Sequence, residues 1–174
     1  GMAIYAVKMR NMGERNHPNK MAMSWSLGCA ILSFVGAGFL GFAHTLPQVN
    51  IYTHGTLVTA THGHLAFWGA YAMIVLAMIT YALPQMTGRK LHSSRLGTFA
   101  FWASNIGMIL MTGAFGIAGV AQVYLERKMG LEFLSVQKEL EVHFLGLVLA
   151  ATIFTTGCIA FIWNFIKHGL PRDE

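Results

Sequence analysis

Polar and apolar residues divide this chain into four long apolar stretches separated by short polar ones. The stretches run over about residues 21–46, 54–83, 97–125 and 142–166. Each exceeds the ~20 residues needed to cross the hydrocarbon core of a bilayer as a helix. From Met21 to Gly88 there is no Asp, Glu, Lys or Arg. An uncharged run of that length is far beyond a buried soluble helix. The pattern therefore predicts an all-α fold, a polytopic membrane helix bundle with four full transmembrane helices. Pro47 and Pro84 fall just past the first and second stretches, where proline commonly stops a helix. The Asn16-His17-Pro18-Asn19 segment marks the turn into the first. Before it, Met2 to Val7 form a short apolar run that reads as the end of a preceding helix. Residues 1–20 would thus hold a helix end and a polar segment, and the chain would be either a fragment or a separate piece of a larger subunit.

Composition agrees with a membrane bundle. Of 174 residues, 55% are hydrophobic and only 11% charged, against about 25% charged in soluble domains. Nineteen glycines suit helices that approach closely in lipid. Cys29 and Cys158 lie deep in apolar runs and read as small buried thiols, with no disulfide framework. The net charge of +5 would suggest nucleic acid for a soluble protein. Here the basic residues sit between spans, where they set orientation instead. Lys8, Arg10, Arg15 and Lys20 precede the first span, and Arg89, Lys90 and Arg95 follow the second. The loop after the first span is uncharged. The loop after the third carries Glu126, Glu132, Glu139 and Glu141 against Arg127, Lys128 and Lys138. The positive-inside rule then predicts both termini in the cytoplasm.

Within the second span stand His62-Gly63-His64. Ionisable groups at membrane depth are costly and mark functional sites. Helical positions two apart differ by about 200° around the axis, so these rings point to opposite faces. A single metal ion is held by i, i+3 or i, i+4 pairs on one face, which argues against zinc or copper. Two haems, one on each face and each taking an axial imidazole, fit the spacing. Gly63 removes a side chain between them. The orientation puts the pair about 12–15 Å in from the outer end of the span. The plainer alternative is two histidines hydrogen-bonded within a bundle.

Polar side chains gather at the outer end of the first two spans: His44, Thr45, Gln48, Asn50, Thr53 and His54. If the helix is regular from His54, that residue lies about 80° from each ligand face, above and between them. It is then the best candidate donor for haem propionates, with Thr53 and Asn50 behind it. Interfacial residues meeting water would look the same. His143 at the start of the fourth span reads as interfacial, and His17, His92 and His168 as solvated. Phe67, Trp68 and Tyr71 follow the histidines at helical spacing, as haem-lining or packing residues. Asn105 and Gln122 are expected to make interhelical hydrogen bonds. Gly36, Gly38 and Gly41, and Gly113, Gly116 and Gly119, are expected to serve close helix packing.

The segment from His54 through His62-Gly63-His64-Leu65-Ala66-Phe67-Trp68 to Met73 strongly resembles the bacterial nitric oxide reductase family, part of the haem–copper oxidase superfamily. The resemblance extends through His44-Thr45-Leu46-Pro47, Tyr81-Ala82-Leu83-Pro84 and Ala118 to Leu125, and so over essentially the whole chain. The His-Gly-His helix is its specific part. The resemblance implies the C-terminal part of a twelve-helix fold, in the large, haem-bearing subunit. It implies that His62 is the proximal ligand of a high-spin haem b3, the catalytic site for nitric oxide. It makes His64 one of two axial ligands of a low-spin haem b. It also implies a cytochrome c-containing small subunit as partner, a non-haem iron bound by residues outside this chain, and a bacterial inner-membrane location. The motifs for that iron and for the second haem b ligand are not among these residues. Three other readings stay open: a membrane di-haem electron-transfer cytochrome without catalysis, an oxygen reductase of the same superfamily, and a scaffold without haem.

Overall fold

The computed structural model describes residues 19–89 and 93–169. The expected end of a preceding helix, the N-terminal basic cluster, His17 and His92 lie outside the described residues, and so does the side chain of His168. Helix α1 spans Lys20–Thr45 and is π-helical over Phe34–Leu40. A short α2 covers Pro47–Thr53. Helix α3 spans Leu57–Thr87, with a π-helical stretch over Phe67–Ala72. Helix α4 spans Ser94–Lys128, its last turn π-helical over Tyr124–Lys128. Helix α5 is Phe133–Glu139 and α6 is Glu141–Gly169. The fold is all-helical, and α1, α3, α4 and α6 are each long and apolar enough to cross a membrane. They pack in series, α1 on α3, α3 on α4 and α4 on α6.

Local chemistry sets the helix starts. Asn19, Thr56 and Ser93 cap α1, α3 and α4, each side-chain oxygen accepting from a backbone N–H of the first turn. Three boundaries differ from the expectations. Pro47 does follow a break, since Leu46 is extended, but it also opens α2 as its first residue, where its fixed φ and missing N–H are tolerated. The segment expected as a loop is therefore helical. Pro84 lies inside α3, which continues to Thr87 and ends at Gly88 in the left-handed conformation. The second span begins at Leu57 rather than His54, because Gly55 turns the chain with φ 73°.

Lipid removes most of the hydrophobic drive between helices, so contact rests on van der Waals packing and interhelical hydrogen bonds. Trp25 anchors the core, with edge-on contacts to Phe101, Phe161 and Trp68. The buried Asn105 accepts from the Trp68 indole at 3.1 Å. Asn164 of α6 holds both backbone groups of Ser93 at the start of α4. At the crossing of α1 and α3, a Cβ on Gly36 would lie 2.6 Å from the Leu65 carbonyl carbon. The two backbones touch there, and only glycine fits. Cys29 and Cys158 are free thiols.

Candidate metal centre on the His-Gly-His helix

His62 and His64 sit on the first α-helical part of α3, ahead of its π-helical stretch. Their rings meet different neighbours. His62 turns to α1, where its Nδ1 donates to the Gly36 carbonyl at 2.9 Å and its ring stacks on His44. His64 turns to α4, with its ring centroid 4.8 Å from that of Phe115. Its Nδ1 donates to the Ala60 carbonyl of its own helix at 2.9 Å. The divergence expected from the spacing is present in the fold.

A carbonyl only accepts, so each Nδ1 carries a proton, and in the neutral ring this leaves the lone pair on Nε2. That is the tautomer of a metal-ligating imidazole, with the other nitrogen oriented by a hydrogen bond to a carbonyl. His64 is exposed and His62 half-buried. A Cβ on Gly63 would meet nothing within 4 Å, so the helix surface between the rings is open. A Cβ on Gly41 would stand 3.1 Å from Cε1 of His62, which makes glycine the residue that lets α1 close on this ring. Among the described residues, no group of three or more His, Cys, Asp or Glu could hold a metal ion by itself.

The polar residues expected at the outer edge fall into two groups. His44, on the last turn of α1, joins His62 directly. His54, Thr53 and Asn50 belong to α2 and the turn after it, so His54 does not share a helix with His62 and His64. The angular position expected for His54 is corrected accordingly: Gly55 breaks the count, and His54 lies exposed in that turn. The Thr53 hydroxyl donates to the Val49 carbonyl, and the Asn50 carbonyl accepts from His54 N–H. Of the aromatics, Trp68 is buried, while Phe67 and Tyr71 are about two-thirds exposed.

Two features went unread in the sequence. Gly36 looked like a packing residue, and its carbonyl is the partner of His62. The C-terminal end of α4 clamps the turn before the His-Gly-His helix. Gln122, 2% exposed, accepts from Leu57 N–H at 2.9 Å and donates to Glu126 at 2.9 Å. Arg127 reaches the His54 carbonyl at 3.4 Å. Gln122 was legible as an interhelical donor or acceptor, but nothing in the sequence signalled its partner.

Residues 2–167 match the family described as Cytochrome C and Quinol oxidase polypeptide I. The chain is 39% identical over 176 aligned residues to a nitric oxide reductase subunit of Stutzerimonas stutzeri, covering 97% of this chain and 37% of that protein. It is 28% identical over 102 residues to cytochrome c oxidase subunit 1 of Rhodobacter capsulatus, covering 55% of this chain and 19% of that protein. The chain thus spans little more than a third of the length of its nitric oxide reductase relative. Four membrane-length apolar helices and these similarities describe a multi-pass membrane protein. The chain belongs to the cytochrome c and quinol oxidase polypeptide I family, and its His-Gly-His helix lies inside the matched region.

Proposed function

We propose that this chain is the haem-ligating part of a membrane nitric oxide reductase, in which two NO, two electrons and two protons give N2O and water. The observation that carries the reading is that the His62 and His64 rings turn to different neighbours, His44 and Phe115. Each ring donates its Nδ1–H to a backbone carbonyl. Similarity to the Stutzerimonas stutzeri nitric oxide reductase over 97% of the chain supports the reaction class.

His62 would hold the iron of haem b3 and His64 that of haem b. A haem with one protein ligand keeps a position open for NO, whereas a haem with two protein ligands suits electron relay. This chain's residues orient the ligands and shape the space around them. The Gly36 carbonyl would fix the tautomer and the ring orientation of His62 as a ligand. Ala60 and the Phe115 ring do the same orienting work for His64. Gly63 leaves the helix surface open to flat groups on either side. His54, with Thr53 and Asn50, would supply hydrogen bonds to propionates at the outer edge, steadied by Arg127 on the His54 carbonyl. His44 joins the site through its stack on His62.

The non-haem iron and the second haem b ligand would come from the remainder of the large subunit. Electrons would come from a cytochrome c-containing small subunit. In a bacterial inner membrane with both termini cytoplasmic, the histidine pair stands in the outer half. Optical spectra of the assembled membrane enzyme test the assignment. His62→Ala should remove the high-spin, NO-binding haem signal, and His64→Ala the low-spin one. Loss of the same haem in both variants would overturn the two-haem reading.

A further inference from the structure

His44 is drawn into the site in a way that propionate binding does not explain. Its ring lies against that of His62 with centroids 5.2 Å apart and planes 25° apart. Its Nδ1 donates to the Leu40 carbonyl at 2.8 Å, so the ring proton is already committed to backbone. The remaining Nε2 is a buried acceptor with no partner among the described residues. A neutral ring in this tautomer has no donor left for a carboxylate. Gly36 and Leu40, whose carbonyls receive the two Nδ1 protons, both lie in the π-helical stretch Phe34–Leu40. On the same helix, Gly41 comes within 3.1 Å of His62, measured from the Cβ it lacks. His62 is thus bounded by one hydrogen bond, one parallel ring and one bare backbone, all supplied by α1.

We propose that His44 is a positioning residue that fixes the ring plane of His62 by stacking, so that the π-helical turn of α1 sets the orientation of the proximal haem ligand. The proposal rests on the reading of His62 as that ligand. A single hydrogen bond at Nδ1 leaves the imidazole free to rock about that bond. A flat partner at stacking distance removes the remaining freedom.

The test uses the full membrane enzyme with its haems, and reads the iron–histidine stretch of the reduced high-spin haem by resonance Raman, with its midpoint potential. His44→Ala should shift and broaden that band and move that potential, while the low-spin haem keeps its spectrum as the control for folding. His44→Phe restores a flat ring without nitrogens and should return the band to its wild-type position and width. An unchanged band in His44→Ala would overturn the proposal. Rescue by His44→Gln but not by His44→Phe would also overturn it, since hydrogen bonding rather than stacking would then be the role. Should His44→Ala lose both haems, His44→Phe decides alone: a wild-type band supports the stack and an altered band refutes it. Failure of the His62 assignment is read separately, from a His62→Ala variant that keeps its high-spin haem.

Discussion

Gly36→Ala is the smallest change that tests how the helix crossing holds the His62 ring. The new Cβ would stand 2.6 Å from the Leu65 carbonyl carbon, 2.7 Å from Ala66 N and 2.9 Å from the Leu65 carbonyl oxygen. All three are backbone atoms of α3, so no side chain can swing away. Ordinary contact begins near 3.4 Å, and the helices must part by about 0.8 Å at this point. The hydrogen bond from His62 to the Gly36 carbonyl is 2.9 Å long. Stretched by that amount it passes the length at which a hydrogen bond is recognised. Overpacking of one methyl costs about 1–3 kcal/mol, and the lost hydrogen bond about 1 kcal/mol. Together they amount to about 2–4 kcal/mol. The assay is the half-life of the haem spectrum of the detergent-solubilised enzyme at raised temperature. A loss of that size on the native side of the barrier shortens it by at least about tenfold. The high-spin signal should fail before the low-spin one. Gly38→Ala, two residues on, is the matched control, because its Cβ meets only Phe34 and Ser33 of the same helix at 3.8 Å. Equal half-lives and equal spectra for the two variants would refute the backbone contact and the role given to Gly36.

Two further substitutions probe the open face and the clamp. Gly63→Phe meets nothing within 4 Å as far as Cβ, so helicity by circular dichroism should be retained while haem content falls by half or more; full haem occupancy would speak against cofactors flanking this helix. Gln122→Ala leaves the half-buried Leu57 N–H without its acceptor, costing about 1 kcal/mol. Its thermal inactivation should accelerate, with faster amide exchange at the start of α3 than at its end; uniform exchange along α3 would count against a local clamp.

The parts of the site that follow from residue spacing along one unbroken helix were legible in the sequence. His62 and His64 diverge because two positions along a helix turn about 200°, and α3 is regular through both. Asn105 and Gln122 were legible as interhelical partners because a polar group in a membrane span must find one, and both do. The position of His54 was misread because the angular count assumed a continuous helix, and the Gly55 turn restarts it. The same limit applied to Pro47 and Pro84. Proline removes one N–H and biases the residue before it, yet Pro47 starts a helix and Pro84 lies within one.

The sequence by itself determined the number of spans, the all-helical class, and the presence of two imidazoles on opposite sides of one helix. Those properties depend on hydropathy and helical pitch, which are local. The tertiary structure decided what each ring touches. The Gly36 carbonyl and the His44 ring both come from α1, far along the chain from His62. They reach it because α1 crosses α3 backbone to backbone at Gly36 and Leu65, and because α1 is π-helical there. Such a crossing follows from the packing of whole helices against one another, which no count of residues along a single helix contains.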